Sequence, residues 1–361
     1  MNKLTSESIY YICVTYCRAT SNEQRRFWML PPALKGRLRL PAIASPMFLV
    51  SGVDLVVATS RAGLVGSFPS LNQRTSEGCE AWLKAIRSRL TDADAPWAIQ
   101  FAVHHTHKRM EEDIALTVKY QVPILISAIG ITREATDAVH SYGGLIFHDA
   151  INVRHAKKAL DANVDGIIAV CAGAGGHSGT YNPFAFIGEL KPLLGDKALI
   201  LSGCIGDGHS LAGAIAAGAD LGYMGTRFVN TKESIATERM KQLVIESDIR
   251  DVVYSSEIDG LGANWLRQTL PDKPVGSDKP GASLAELLSD HKRWRDILSA
   301  GQGVGSINDI PTVAELVERT EHEYFSAAER LQVDRASHSH NGNVRTAGSS
   351  LSDTWTVELS R

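Results

Sequence analysis

No apolar run in this 361-residue chain approaches the ~20 residues needed to cross a bilayer as a helix. The apolar stretch at residues 9–17 is too short. It also lacks the basic start and small-residue cleavage pattern of a secretory signal. Charge of one sign is missing too: the formal net charge is −3, which leaves no basic footprint for nucleic acid or a membrane surface. A cytoplasmic protein with neither kind of partner is expected. Cysteine is scarce. The five residues Cys13, Cys17, Cys79, Cys171 and Cys204 are odd in number and widely spread, which excludes a disulfide framework. Cys13 and Cys17 have no second pair or nearby histidine to complete a metal site, so no metal is expected. A Rossmann fingerprint is also lacking, because Gly203-Cys204-Ile205-Gly206-Asp207-Gly208 has the wrong glycine spacing.

The chain does contain eight short apolar runs, at 42–45, 63–67, 97–103, 122–127, 144–148, 166–171, 198–202 and 221–224. Near-continuous apolar runs suit parallel strands covered on both faces. Amphipathic stretches lie between them, for example 53–60, 154–162 and 211–217. Eight βα units predict an α/β fold, a (β/α)8 TIM barrel. The pattern then changes, and residues 231–305 read as a small, mainly helical appendage over the barrel mouth. A final amphipathic helix at 311–330 closes the ring, so the barrel comprises 29–230 and 306–331. Residues 1–28 read as a disordered N-terminal extension without motifs. A chain starting at Met29 is expected to keep its melting temperature and activity. Residues 332–361, rich in Ser, Asn and Gly, read as a disordered tail.

In a barrel, the catalytic face lies at the C-terminal ends of the strands. The sixth run ends in Ala172-Gly173-Ala174-Gly175-Gly176-His177-Ser178-Gly179. Small residues after a buried strand let the backbone approach a flat ligand, and one histidine sits among them. Other strand ends carry Pro46-Met47, Gln100, Ser127, His148-Asp149, Ser202-Gly203 and Gly225-Thr226. Glycines after strands seven and eight expose N–H groups that hold an anion, and Thr226 adds a hydroxyl. A phosphorylated cofactor follows, with FMN the natural candidate. Three histidines in four residues at a strand end, His104, His105 and His107, rarely converge on a metal without a carboxylate or cysteine partner, so an exposed loop or one flavin-facing histidine suits them better. His148 and Asp149 can orient one another or the substrate. Tyr254, Asn264 and Trp265 either line a small pocket or pack between helices.

Pro46-Met47, His148-Asp149, Gly173-Ala174-Gly175-Gly176-His177, Ser202-Gly203 and Gly225-Thr226 together resemble the nitronate monooxygenases, formerly 2-nitropropane dioxygenases. The resemblance covers about residues 30–331 and implies a barrel that binds FMN non-covalently with a histidine facing it. The implied reaction oxidises alkyl nitronates with O2 to carbonyl compounds and nitrite, so the partners are a small nitronate or nitroalkane and O2. His177 becomes the catalytic candidate, either as a base toward a nitroalkane or as an imidazolium clamp on a nitronate. The cofactor-binding candidates are Pro46, Met47, Gln100, Ser127, Asp149, Gly175, Gly176, Ser202, Gly203, Gly225 and Thr226. Many relatives have Asn in place of Gln100, and some have Lys in place of Asp149. Flavin-dependent enoyl-acyl-carrier-protein reductases share the fold, so an NAD(P)H-dependent reductase of enoyl thioesters or quinones is the alternative. A non-catalytic flavin-binding barrel is the third reading.

Overall fold

The computed structural model describes residues 30–338 apart from 105–106, 259 and 271–295. The N-terminal extension with Cys13 and Cys17, His105 and the C-terminal tail from 339 lie outside these residues. So does most of the basic stretch at 291–297.

Eight parallel strands form the barrel: β1 (Ala42–Ala44), β2 (Gly66–Pro69), β3 (Trp97–Ala102), β4 (Ile124–Ala128), β5 (Leu145–Ala150), β6 (Gly166–Val170), β8 (Ala198–Ser202) and β9 (Leu221–Met224). They pair in the order β1-β9-β8-β6-β5-β4-β3-β2. A single parallel bridge, Ile43 to Val65, joins the two ends. The second strand starts later than the expected 63–67. Gly63, at φ 90°, closes the turn after the preceding helix, and regular pairing with β3 begins only at Gly66.

The pleat divides each strand between two cores. Ile43, Val65, Ala98, Ile124, Ile126, Phe147, Ile168 and Ile200 fill the barrel interior. Their neighbours, including Ile99, Leu125, Ile146, Ile167 and Leu199, belong to the larger core shared with the helices. Fully burying such side chains contributes about 1.5–3 kcal/mol each.

The outer ring contains α1 (Val53–Arg61), α2 (Ser76–Arg89), α3 (Met110–Lys119), α4 (Arg133–His140), α5 (Val153–Asp161), α6 (Pro183–Leu194), α7 (Gly208–Ala217) and the last helix, α10 (Val313–His338). Thr75, Thr132, Asn152, Asn182 and Asp207 cap α2, α4, α5, α6 and α7 through their side chains. Helix α7 begins against α10: a Cβ on Gly208 would overlap the Thr320 carbonyl and the Tyr324 amide. Gly208→Ala therefore has to push α10 outward, and thermal unfolding should show a loss of about 1–3 kcal/mol. An unchanged melting temperature would mean that α10 does not close the ring as tightly as described.

Between α8 (Thr226–Val229) and α10 lies the appendage. It carries α9 (Glu238–Glu246) and also an antiparallel hairpin, β10 (Val252–Ser255) and β11 (Ala263–Leu266), that composition did not signal. Its third strand is β7, the dipeptide Gly176–His177 from the glycine run. The appendage is thus stitched to the barrel through the histidine loop.

Candidate active site

A cavity of about 740 Å³ opens at the C-terminal ends of the barrel strands, within the range of small-molecule sites. Its floor is the last inward-facing layer of the barrel. Two residues beyond Ala98, Phe147 and Leu221, the pleat brings Gln100, Asp149 and Tyr223 to the cavity. None of these three side chains makes a hydrogen bond to the described protein, and Asp149 Oδ1 is buried with no partner. Burial pushes the Asp149 carboxyl up to about 7. An unpaired buried polar atom is costly, so a floor that holds Asp149 Oδ1 beside Gln100 and Tyr223 is suited to a polar ligand.

One wall is the glycine run. Asn264 of β11, almost fully buried, donates to the Ala174 carbonyl at 2.7 Å and to Ser178 Oγ at 3.1 Å. Ser178 N donates to the Gly262 carbonyl at 3.0 Å. These bonds hold Gly176 at φ 72° and His177 in β7. The run also packs backbone to backbone against the 300–303 segment. A Cβ on Gly301 would sit 2.7 Å from the Gly173 oxygen, and one on Gly175 would sit 2.9 Å from the Gly301 nitrogen. Thr226 Oγ1 accepts the Gly301 N–H at 2.8 Å, so part of its hydroxyl capacity is already used.

The opposite wall comes from the end of β1. Asn72 accepts the Leu49 N–H at 2.8 Å and donates to the Met47 and Ser51 carbonyls. That brace fixes the Pro46-Met47 turn, including Leu49 at φ 58°. Gly203 at φ 136° and Cys204 at φ 58° turn the chain beyond β8, beside Gly225 at the start of α8.

Eleven of the twelve candidate residues line this cavity: Pro46, Met47, Gln100, Asp149, Gly175, Gly176, His177, Ser202, Gly203, Gly225 and Thr226. Ser127 does not. With Ile126 pointing into the barrel, Ser127 points out, is fully buried and lies 2.8 Å from His148 Nδ1. There it lies against His148, away from the cavity wall. His148 likewise turns away from Asp149 along the pleat, so the two do not orient one another. Burial first, then His155 and Lys158, pull His148 down to about 4, so it is a neutral imidazole at the cavity edge.

His107 does not face the cavity. It lies 2.9 Å from the buried Asp113, beside Ser70 and Arg109. Tyr254 lines the cavity, whereas Trp265 is core. Cys79, Cys171 and Cys204 are free thiols. Asp207, His209 and Glu323 bring potential metal-ligand atoms within 4.8 Å of one another. Asp207 is occupied in capping α7, however, and Glu323 accepts the Gly208 N–H.

Sequence reasoning missed Tyr223, the 300–303 segment and a cationic rim. Arg154, His155 and Lys158 of α5 line the mouth, and Arg154 and Lys158 have no acidic partner among the described residues. The signal for the segment was present in Gly301-Gln302-Gly303-Val304-Gly305. Nothing in the sequence said that it folds back onto the first glycine run.

The profile of the nitronate monooxygenase family matches residues 71–322. The chain belongs to the nitronate monooxygenase family. As a member it is a flavin-dependent oxidoreductase. Among its relatives is a nitronate monooxygenase of Neurospora crassa, 23% identical over 80% of this chain and 90% of that one. A hydroxy-methyl-oxo-octahydroindene-carboxyl-CoA dehydrogenase of Rhodococcus jostii is 27% identical over 77% and 90%. Two solved structures share the fold. Nitroalkane oxidase from Streptomyces ansochromogenes superposes with a TM-score of 0.71 at 21% identity, covering 83% of this chain and 99% of that one. FabK from Thermotoga maritima superposes with a TM-score of 0.70 at 21% identity, covering 82% and 96%. Among the described residues no helix is long and apolar enough to cross a membrane.

Proposed function

We propose that the protein is an FMN-dependent nitronate monooxygenase that converts alkyl nitronates and O2 to carbonyl compounds and nitrite. The observation that carries this reading is the placement of His177. A two-residue strand presents it at the wall of a cavity whose floor holds the unpartnered Gln100, Asp149 and Tyr223. A flat ring with polar edges fits that floor. A terminal phosphate fits the opening between the Gly203 and Gly225 turns, where bare backbone leaves room and N–H groups. FMN, when bound, supplies the electron-accepting ring and the reaction with O2.

The chain's own residues do the rest. Arg154 and Lys158 form a positive rim that favours arrival of an anion. His177 then holds the nitronate through a charge-assisted hydrogen bond, or takes the α-proton when a nitroalkane arrives instead. The glycine run, free of side chains, leaves the substrate space beside the ring.

A second reading is favoured by the rim itself. Exposed Ile129, Ile151 and Leu261 line the mouth beside those cations. An apolar collar next to positive charge also suits an acyl thioester on a phosphorylated carrier, and the Rhodococcus relative carries CoA in its name. On that reading the enzyme is an NAD(P)H-dependent reductase of enoyl thioesters or quinones.

Anaerobic mixing of the yellow protein separates the readings. Nitronate should bleach the flavin absorbance, and NADH or NADPH should not. Bleaching by the pyridine nucleotide alone would favour the reductase. Bleaching by neither would leave a flavin-binding barrel without this chemistry. Nitrite release with O2 uptake then checks the products.

A further inference from the structure

We propose that Asp149 works as a neutral carboxylic acid, donating a hydrogen bond from the barrel floor to an acceptor atom of the bound flavin ring. This rests on the flavin reading above.

Among the described residues the geometry gives this carboxyl no counter-charge. Asp149 occupies the inward layer of β5, with Oδ1 buried and unpartnered. Its neighbours in register are apolar: Ile168 of β6 pairs with it directly, and Ala128 ends β4 one residue beyond the Ser127–His148 pair. Gln100 of β3 and Ser202 of β8, both uncharged, line the same cavity. Among the described residues the titratable group coupled to it is Tyr223 of β9, whose hydroxyl burial holds protonated. The cations Arg154 and Lys158 and the imidazole of His155 belong to α5, on the outer side of β5, and His155 and Lys158 act on the outward-facing His148. Among the described residues no cation, Arg227 of the same cavity included, acts on Asp149 to hold it ionised.

An ionised carboxylate here would be buried, unpaired and acceptor-only. The protonated form removes the charge and gains an O–H donor. A flavin ring presents carbonyl oxygens and unprotonated nitrogens that accept such a bond, whereas a carboxylate would repel them. Burial already biases the group this way, pushing it up to about 7.

The consequence is a proton taken up with the ring. Riboflavin is the probe, because it lacks the phosphate whose own ionisation near pH ~6 would obscure the effect in FMN. Binding is read by quenching of flavin fluorescence from pH 5.5 to 8.5, with FMN measured in parallel. In the wild type the riboflavin Kd should rise about tenfold per pH unit above the midpoint, the slope of one linked proton. Asp149→Asn keeps a donor at every pH, so its affinity should be pH-independent and close to the wild-type value at low pH. Asp149→Ala should be pH-independent and about tenfold weaker, having lost one hydrogen bond.

A readout free of flavin accompanies this. A carboxyl whose pKa is raised by folding contributes stability that is lost as pH rises through its folded value. Flavin-free Asp149→Asn should therefore gain melting temperature over the wild type at pH 8.5, and the gain should shrink at pH 5.5. A wild-type pH slope retained in Asp149→Asn, a flat wild-type profile, or an equal melting shift at both pH values would overturn the proposal. Failure of both flavins to bind the wild type at any pH would instead overturn the flavin reading, and this inference with it.

Discussion

Gly225→Asp should be purified colourless. A Cβ at this position would lie 2.8 Å from Ser45 Oγ and 3.9 Å from Met47 Sδ, so a side chain has to enter a crowded corner beside the turn to which we assign the phosphate. Two like charges about 4 Å apart in a partly buried site repel by about 4 kcal/mol at an effective dielectric near 20, or about 10³-fold in affinity. Gly225→Asn supplies the same volume without the charge. Its smaller loss of FMN affinity measures the steric share, and the difference between the two variants measures repulsion. The measurement is FMN released per chain on denaturation, followed by titration of the stripped protein. Wild-type FMN affinity in Gly225→Asp would place the phosphate elsewhere, and recovery of FAD from the wild type would remove FMN altogether.

The second large effect concerns His177, and the contrast between two substrates reads it. A nitroalkane must lose its α-proton before it can be oxidised, whereas a pre-formed nitronate has already lost it. If the imidazole serves chiefly as a base, His177→Asn abolishes turnover of the nitro compound and spares the nitronate. If it serves as a clamp, both fall. We expect the clamp, because Gly175 and Gly176 bring anion-suited backbone N–H groups beside it. Loss of one well-placed donor costs about 10²–10³ in rate, against about 10²–10⁴ for a general base. Size alone does not separate the roles. The deciding quantity is kcat/KM for each substrate in both proteins at matched FMN content. Wild-type rates on both substrates in His177→Asn would remove this residue from the chemistry.

Much of this architecture could be read before any coordinates. Parallel strands buried on both faces leave near-continuous apolar runs, and all eight barrel strands fall on the expected runs to within a few residues. Strand ends are equally informative, because they supply the cavity floor. What failed was parity. Ser127 seemed to point with its neighbours toward the ligand, although Ile124 and Ile126 already marked the inward positions. Counting by twos from those isoleucines would have sent Ser127 outward and brought Tyr223 in from Leu221. The other gap is distance along the chain. Gly301 meets Gly173 and Gly175 across more than a hundred residues. Close backbone contact of that kind leaves only glycines in the sequence, with no sign of which loops they join. The hairpin β10–β11 was hidden for a related reason: each strand has only four residues, too few to establish an alternation.

The pairing of β7 with β11 has a mechanical meaning for the enzyme. Fraying of the hairpin would unpair the very residues that present the imidazole. Local opening of the appendage and loss of the working histidine are therefore one event, with one free energy. Amide exchange at Ala263 and Asn264 should report the fraction of time the site is assembled. An appendage transplanted from another barrel would need to supply the edge strand for Gly176 and His177. Covering the mouth would not be enough.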